Sequence, residues 1–202
     1  MEIRELLHPG AKEYTDTAAV LAGSFRRAPL FTGFLFRGRR APAETFLSAM
    51  LDYALQTGRV FVAEERGAIV ACALWTTPDS PELTVRTVFR LGLWPRFLRL
   101  FLQSPAAVLR IAELFHMLET FAPETPCATL EFLASARKGA GAAVLRRSME
   151  TFRGVPLYVE SIVSKNDHAY YRGFGFTPFA RTDFHGTDYA FLLLAPKAGP
   201  SA

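Results

Sequence analysis

Residues 127–163 constrain the fold more than any other stretch of this chain. "CATLEFLAS" (127–135) is rich in strand formers, "AGAAVLRRSMETF" (140–152) has a helical period, and "VPLYVESIV" (155–163) is strand-like again. In the middle segment Leu145, Met149 and Phe152 share one face, while Arg146, Arg147 and Glu150 lie away from it. A strand–helix–strand unit of this length is a crossover, so its two strands are expected to run parallel.

Its first connection reads "SARKGAGAAVL" (135–145). Two bases precede a run with almost no side chain, at the point where a helix begins. A helix start carries unpaired N–H groups and partial positive charge. Bare Gly139 and Gly141 let an anion reach those groups, and Arg137 and Lys138 add full charges, which suits phosphate or pyrophosphate. The competing explanation is that the glycines only permit a tight turn. A P-loop pattern is absent, and the dinucleotide fingerprint fails at its third glycine, where position 144 is Val.

The remaining segments fill out an α/β chain with a mixed sheet. A short strand is expected at 2–7, helices at 13–26 and 43–57, and a loop between them through Arg40. Gly58 follows the second helix as a C-cap would. "RVFVAEERGAIVACALW" reads as a β-hairpin turning at Glu65-Arg66-Gly67. Residues 81–121, broken by Gly92, Pro95 and Pro105, read as two or three short helices. Asn166 reads as the N-cap of a short helix ending near Gly173, and strands at 174–184 and 188–195 close the chain. One domain over 1–196 with a tail at 197–202 is expected.

Half of the 202 residues are hydrophobic and 21% are charged, enough for a sizeable core. Eighteen Phe point to a bulky core or an apolar site. A net charge of +4 with scattered bases suits an anionic ligand at least as well as nucleic acid, which would favour a denser basic patch, so no nucleic-acid partner is expected. Cys72 and Cys127 sit in apolar strand-like runs without zinc spacing, which fits reduced core thiols, no metal and a cytoplasmic protein. "MEIRELLHPG" has no apolar centre of the kind a secretory leader needs, and no run of about 18 apolar residues occurs.

Gly139-x-Gly141, then a second strand, Asn166, and Tyr171-x-x-x-Gly175-Phe176 occur in that order. Over about residues 127–180 this resembles the GNAT superfamily of acyl-CoA-dependent N-acetyltransferases. Position 136 is Ala where that family prefers Gln or Arg, with Arg137 beside it. The resemblance implies a mixed, mostly antiparallel twisted sheet flanked by helices, with a helical insert at about 81–121 before the CoA-binding strand. It implies acetyl-CoA as co-substrate and transfer of its acetyl group to a primary amine, by direct attack in a ternary complex. The acceptor would be a small-molecule or peptide amine, and the protein a monomer or homodimer. Leu133, Ser135, Arg137, Lys138, Gly139, Ala140, Gly141, Ala142 and Asn166 would hold the cofactor. The family splays its two parallel strands, so that backbone near Leu133 and Ser135 pairs with the pantetheine arm.

By the same resemblance Tyr171 would protonate the departing thiolate, a step that a phenol near pKa ~10 can perform. Tyr170 is its neighbour and rival. Strand alternation puts Glu131, Leu133 and Ser135 on one face, and Leu130, Phe132 and Ala134 on the other. A carboxylate in an apolar strand is costly to bury without purpose. Glu131 is therefore the expected base, with Glu160 as competitor and His168 a weaker candidate. A non-catalytic acyl-CoA-binding or sensing module is the alternative.

Residues 83–121 carry Arg86, Arg90, Arg96, Arg99 and Arg110 against Glu113 and Glu119. Three readings stand: a surface touching membrane or anionic lipid, a flap over the acceptor site, or helices packed on the sheet with arginines outward.

Overall fold

The computed structural model describes residues 1–163 and 167–196, without the side chains of Asp167 and His168. The expectations for Asn166 and for the tail at 197–202 lie outside the described residues, as does the side chain of His168. Seven strands form one sheet: β1 (Glu2–Glu5), β2 (Arg59–Glu65), β3 (Ala68–Thr76), β4 (Ala128–Ser135), β5 (Leu157–Ile162), β6 (Thr177–Phe184) and β7 (Thr187–Leu194). Their order is β1-β2-β3-β4-β5-β7-β6. Only β4 and β5 pair in parallel, as the crossover requires; every other neighbouring pair is antiparallel.

The helices are α1 (Ala11–Phe25), α2 (Arg40–Thr57), α3 (Val85–Arg90), α4 (Trp94–Gln103), α5 (Pro105–Thr120), α6 (Ala140–Thr151) and α7 (Asp167–Arg172). Helices α1 and α2 cover one face of β2–β4, through Val20, Leu21, Leu51, Val62 and Leu74. Helix α6 covers the opposite face, where Val144 and Leu145 meet Ala73, Trp75 and Leu130. Trp75 is fully buried there and donates its indole N–H to Ser148 Oγ at 3.0 Å. The phenylalanines gather in a third cluster, where Phe31, Phe36, Phe46 and Phe191 join residues of α4 and α5.

Several local features differ from expectation. The stretch taken as a loop through Arg40 contains a π-helical turn, Leu30–Leu35, and Leu30, Phe31, Leu35 and Phe36 are buried from it. Four apolar residues in a short segment had a core to enter. The hairpin turn has Arg66 and Gly67 both at positive φ (52° and 75°), the geometry a two-residue connection needs to match strand twist. Gly58 is the α2 C-cap, but its requirement is steric: a Cβ there would stand 2.0 Å from the Trp75 carbonyl oxygen.

The arginines of the insert do not all face outward. Arg96 turns inward to ion-pair with Asp52 and to hydrogen-bond the Tyr14 hydroxyl at 2.8 Å. Gln103 accepts from Thr45 Oγ1 at 2.9 Å. The exposed side of α4 instead carries Trp94, Leu98, Phe101 and Leu102. No helix among the described residues is long and apolar enough to cross a membrane.

Candidate functional site

The site begins where β4 and β5 part. They pair only at Ala128–Leu157, Thr129–Tyr158 and Leu130–Val159. Beyond Leu130, β4 stays hydrogen-bonded to β3 but leaves β5, so the strands splay. The parting coincides with a β-bulge: Trp75 pairs with Leu130 and Leu74 with Phe132, leaving Glu131 as the extra residue.

The bulge overturns the expected alternation. Leu130 packs with Trp75 on the α6 face, whereas Phe132 and Ala134 pack with the α1–α2 face. An extra residue resets the period of two, so Leu130 and Phe132 end on opposite faces.

Past the bulge, the Ala136 N–H donates to the Val70 carbonyl at 2.9 Å. Antiparallel alternation then turns the backbone groups of Leu133 and Ser135 away from β3, into the splay. Ser135 confirms that direction, because its N–H donates at 3.1 Å to Ser24 Oγ on α1. The Leu133 N–H and C=O face the same opening.

A cleft of about 790 Å³ fills this opening. Leu133, Ser135, Arg137 and Lys138 line it, with Gly139, Gly141 and Ala142 at the start of α6. Tyr170, Tyr171, Glu131 and Glu160 line it as well. Gly139 is the N-cap in the left-handed region (φ 83°), a conformation that glycine adopts without strain. A Cβ on Gly141 would stand 3.2 Å from Ser135 Cβ, so its bareness lets α6 close on the end of β4. The N–H groups of Gly141 and Ala142 belong to the first turn and have no intrahelical partner. This donor set fits a diphosphate.

Two expected cofactor residues are placed differently. Ala140 is buried and its N–H donates to the Arg137 carbonyl at 3.2 Å, so neither group lines the cleft. Arg137 lines it, but its guanidinium is ion-paired with Glu65 of β2.

Ser24, Phe25, Arg27, Ala28 and Pro29 form a wall that sequence reasoning did not name. Arg27 adds a third cation beside Arg137 and Lys138. The only signal was a basic residue after a helix, one of many in this chain; the Ser24–Ser135 contact spans 111 residues.

Glu131 accepts a hydrogen bond from Thr76 Oγ1 at 2.9 Å. Burial raises its carboxyl above the usual range, and the Thr76 bond offsets part of that rise. Burial, helped by the nearby Glu131 charge, pushes Glu160 up to about 8. The Tyr158 hydroxyl lies near enough to soften the rise, although its geometry falls short of a hydrogen bond. Tyr171 sits on α7 with its ring centroid 5.2 Å from that of Tyr170 and 6.0 Å from that of Phe176.

A second cleft, of about 460 Å³, lies on the other side of the two glutamates. Glu131 and Glu160 line both. Its walls come from α2, the 77–84 loop, the end of α5 and the segment before β4. Phe115, Leu118 and Glu119 bring the insert to this cleft, so α5 is the part of the insert that borders it. The arrangement is two clefts on either side of one acidic pair, the first with free amides at its far end.

No family profile matches this chain, and no curated protein matches it. Solved structures do. A histone acetyltransferase HPA2 and related acetyltransferase from Corynebacterium glutamicum superposes with a TM-score of 0.71 at 22% identity, over 100% of both chains. An N-acetyltransferase from Staphylococcus aureus gives 0.58 at 13% identity, over 96% of this chain and 100% of that one. A GNAT-family acetyltransferase from Bacillus cereus gives 0.50 at 8%, over 98% of each. The splayed parallel pair inside a mostly antiparallel seven-stranded sheet, flanked by helices, is thus the GNAT acetyltransferase fold.

Proposed function

We propose that the protein is an acyl-CoA-dependent N-acyltransferase that moves an acetyl group to a primary amine within a ternary complex. The observation that carries this reading is the meeting of the two clefts at Glu131 and Glu160. Acetyl-CoA occupies the larger cleft. Its diphosphate lies against the bare start of α6, with Lys138 and Arg27 nearby, and its pantetheine arm runs along the Leu133 backbone. The amine enters from the smaller cleft. Asn166 would contact the arm, as the sequence resemblance implies.

The ammonium gives a proton to Glu131, directly or through a water, and becomes a neutral nucleophile. Glu131 is the member of the pair held more ionised, because Thr76 donates to it. Neighbouring Glu160, pushed up to about 8, keeps its proton more readily. The amine nitrogen bonds to the thioester carbonyl carbon and the C–S bond breaks. The nitrogen sheds its second proton to solvent, and the thiolate takes a proton from Tyr171, which solvent restores. An N–H at Leu133 polarises the carbonyl oxygen during attack.

The Arg137–Glu65 pair favours the second reading, a module that binds acyl-CoA without turning it over, since it occupies the cation expected on the diphosphate. Thiol release from acetyl-CoA across a panel of amines, beside calorimetry with coenzyme A, separates the two. Acyl transfer predicts heat with coenzyme A and amine-dependent thiol. Tyr171→Phe then lowers kcat by about 10²-fold or more while coenzyme A affinity holds within a few-fold. Binding without thiol release for any amine establishes the second reading. No heat at millimolar coenzyme A sinks both.

A further inference from the structure

Five glutamates line the smaller cleft: Glu131 and Glu160 at its floor, and Glu82, Glu119 and Glu124 at its exposed mouth. No Lys, Arg or His lines it among the described residues. None of the five takes part in an ion pair among the described residues, although the chain carries 23 Lys and Arg against 19 Asp and Glu. Elsewhere this protein pairs its acids, with Glu5, Glu13, Glu44, Asp52, Glu64 and Glu65 all against arginines.

A separate observation points to a missing ligand. Tyr158 belongs to the wall of this cleft and is 2% exposed, and its hydroxyl lies beside Glu160 without completing a hydrogen bond to it or to any other described residue. A buried hydroxyl is seldom left without a partner. An amine bound at Glu131 and Glu160 comes to rest beside that hydroxyl. The mouth is also held in place. Ser80 Oγ accepts from the Thr77 N–H at 2.8 Å and donates to the Thr57 carbonyl at 2.7 Å, and the Tyr53 hydroxyl donates to the Pro81 carbonyl. Glu82 follows these anchors directly. Met50, Leu83, Phe115 and Leu118 give the cleft an apolar stretch of wall.

Resting on the acyl-transfer reading, we infer that the acceptor is an alkyl di- or polyamine. One nitrogen goes to the floor and reacts. A methylene spacer lies along the apolar wall, and a second nitrogen stays protonated among Glu82, Glu119 and Glu124. The second charge decides affinity and the first nitrogen decides turnover. A lysine side chain in a basic peptide shares this chemistry, so the test separates it from the free amine.

Thiol release is measured with 1-aminobutane, 1,4-diaminobutane, spermidine, and a peptide carrying one lysine flanked by arginines, each with acetyl-CoA. Binding of 1,4-diaminobutane is measured by calorimetry with desulfo-coenzyme A present. The expected result is that kcat/KM for the diamine and for spermidine exceeds that for 1-aminobutane by about 10–100-fold, the worth of one charge-assisted contact. In the triple variant Glu82→Gln, Glu119→Gln, Glu124→Gln that ratio collapses toward one, through KM more than kcat. A peptide preferred over every free amine overturns the assignment in favour of a protein acceptor. Equal kcat/KM for monoamine and diamine overturns it while leaving acyl transfer intact. If no amine is turned over, calorimetry decides: diamine heat that the triple variant loses supports the site, and no diamine heat refutes it. That outcome counts against acyl transfer separately, through the missing thiol.

Discussion

At the scale of single residues, the two glutamates between the clefts are the informative pair. They share one low-dielectric floor, so the charge on one opposes ionisation of the other. The pair titrates jointly, and its upper step lies near 8. Turnover should follow the ionisation of Glu131, on a limb above the ordinary carboxylate value of about 4.3 because burial raises that carboxyl. Glu131→Gln is expected to lower kcat by about 10²–10⁴. It should also let Glu160 ionise at lower pH than in the parent, because the like charge that helps keep it protonated is gone. A kcat profile of the parent checks the first point, and the titration of the Glu160 carboxyl in both proteins checks the last; a Glu160 midpoint that stays put would mean that the two carboxyls do not feel each other.

At the scale of elements, close approach matters more than propensity. The end of α2 passes so near β3 that position 58 has no room for a side chain, since its Cβ would stand 2.0 Å from a backbone oxygen that cannot swing aside. Gly58→Ala should cost more than about 3 kcal/mol in urea unfolding, beyond the ordinary cost of a surface change. A loss under about 1 kcal/mol would mean that the helix–strand contact is looser than the structure has it. Helix α4 mixes its faces: Leu100 is buried and Phe97 packs on the core, Arg96 and Gln103 bond to α2 beside them, and Trp94, Leu98, Phe101 and Leu102 face water. The sequence pattern could not show that Arg96 and Gln103 would turn inward, because their partners Asp52 and Thr45 lie more than forty residues away.

For the whole molecule, a carboxyl held above its unfolded pKa has a definite effect on stability. Between about 4.3, its unfolded value, and about 8 the native state binds the Glu160 proton more tightly than the unfolded chain does. That contribution is fully present below the unfolded pKa and is lost as pH rises through the folded one. Stability should thus fall between pH 5 and pH 8. Glu160→Gln, which cannot ionise, should gain on the parent by more than about 1 kcal/mol over that interval. Denaturant midpoints at the two pH values test it, and parallel behaviour of the two proteins would show Glu160 to be ordinary.

The sequence by itself determined what short range controls. The crossover, the hairpin with its turn and the bare start of α6 were legible, because periodicity, strand composition and glycine spacing are local signals; Glu131 stood out as a carboxylate in an apolar strand, and Tyr171 was named through the family resemblance. Glu160 was visible too, but only as a rival to Glu131. Tertiary structure alone made them partners, since neither residue's neighbours in the chain announce a shared floor. The bulge at Glu131 was hidden for the same reason: a strand's period of two says nothing of a partner that skips one residue. Ser24 and Arg27 joined the larger cleft, and three distant glutamates the smaller one, only when β4 and β5 parted and the helices closed around the gap. A chain writes its local geometry in adjacent residues, whereas uncompensated charge in a cleft exists only after folding has decided which groups share the same space.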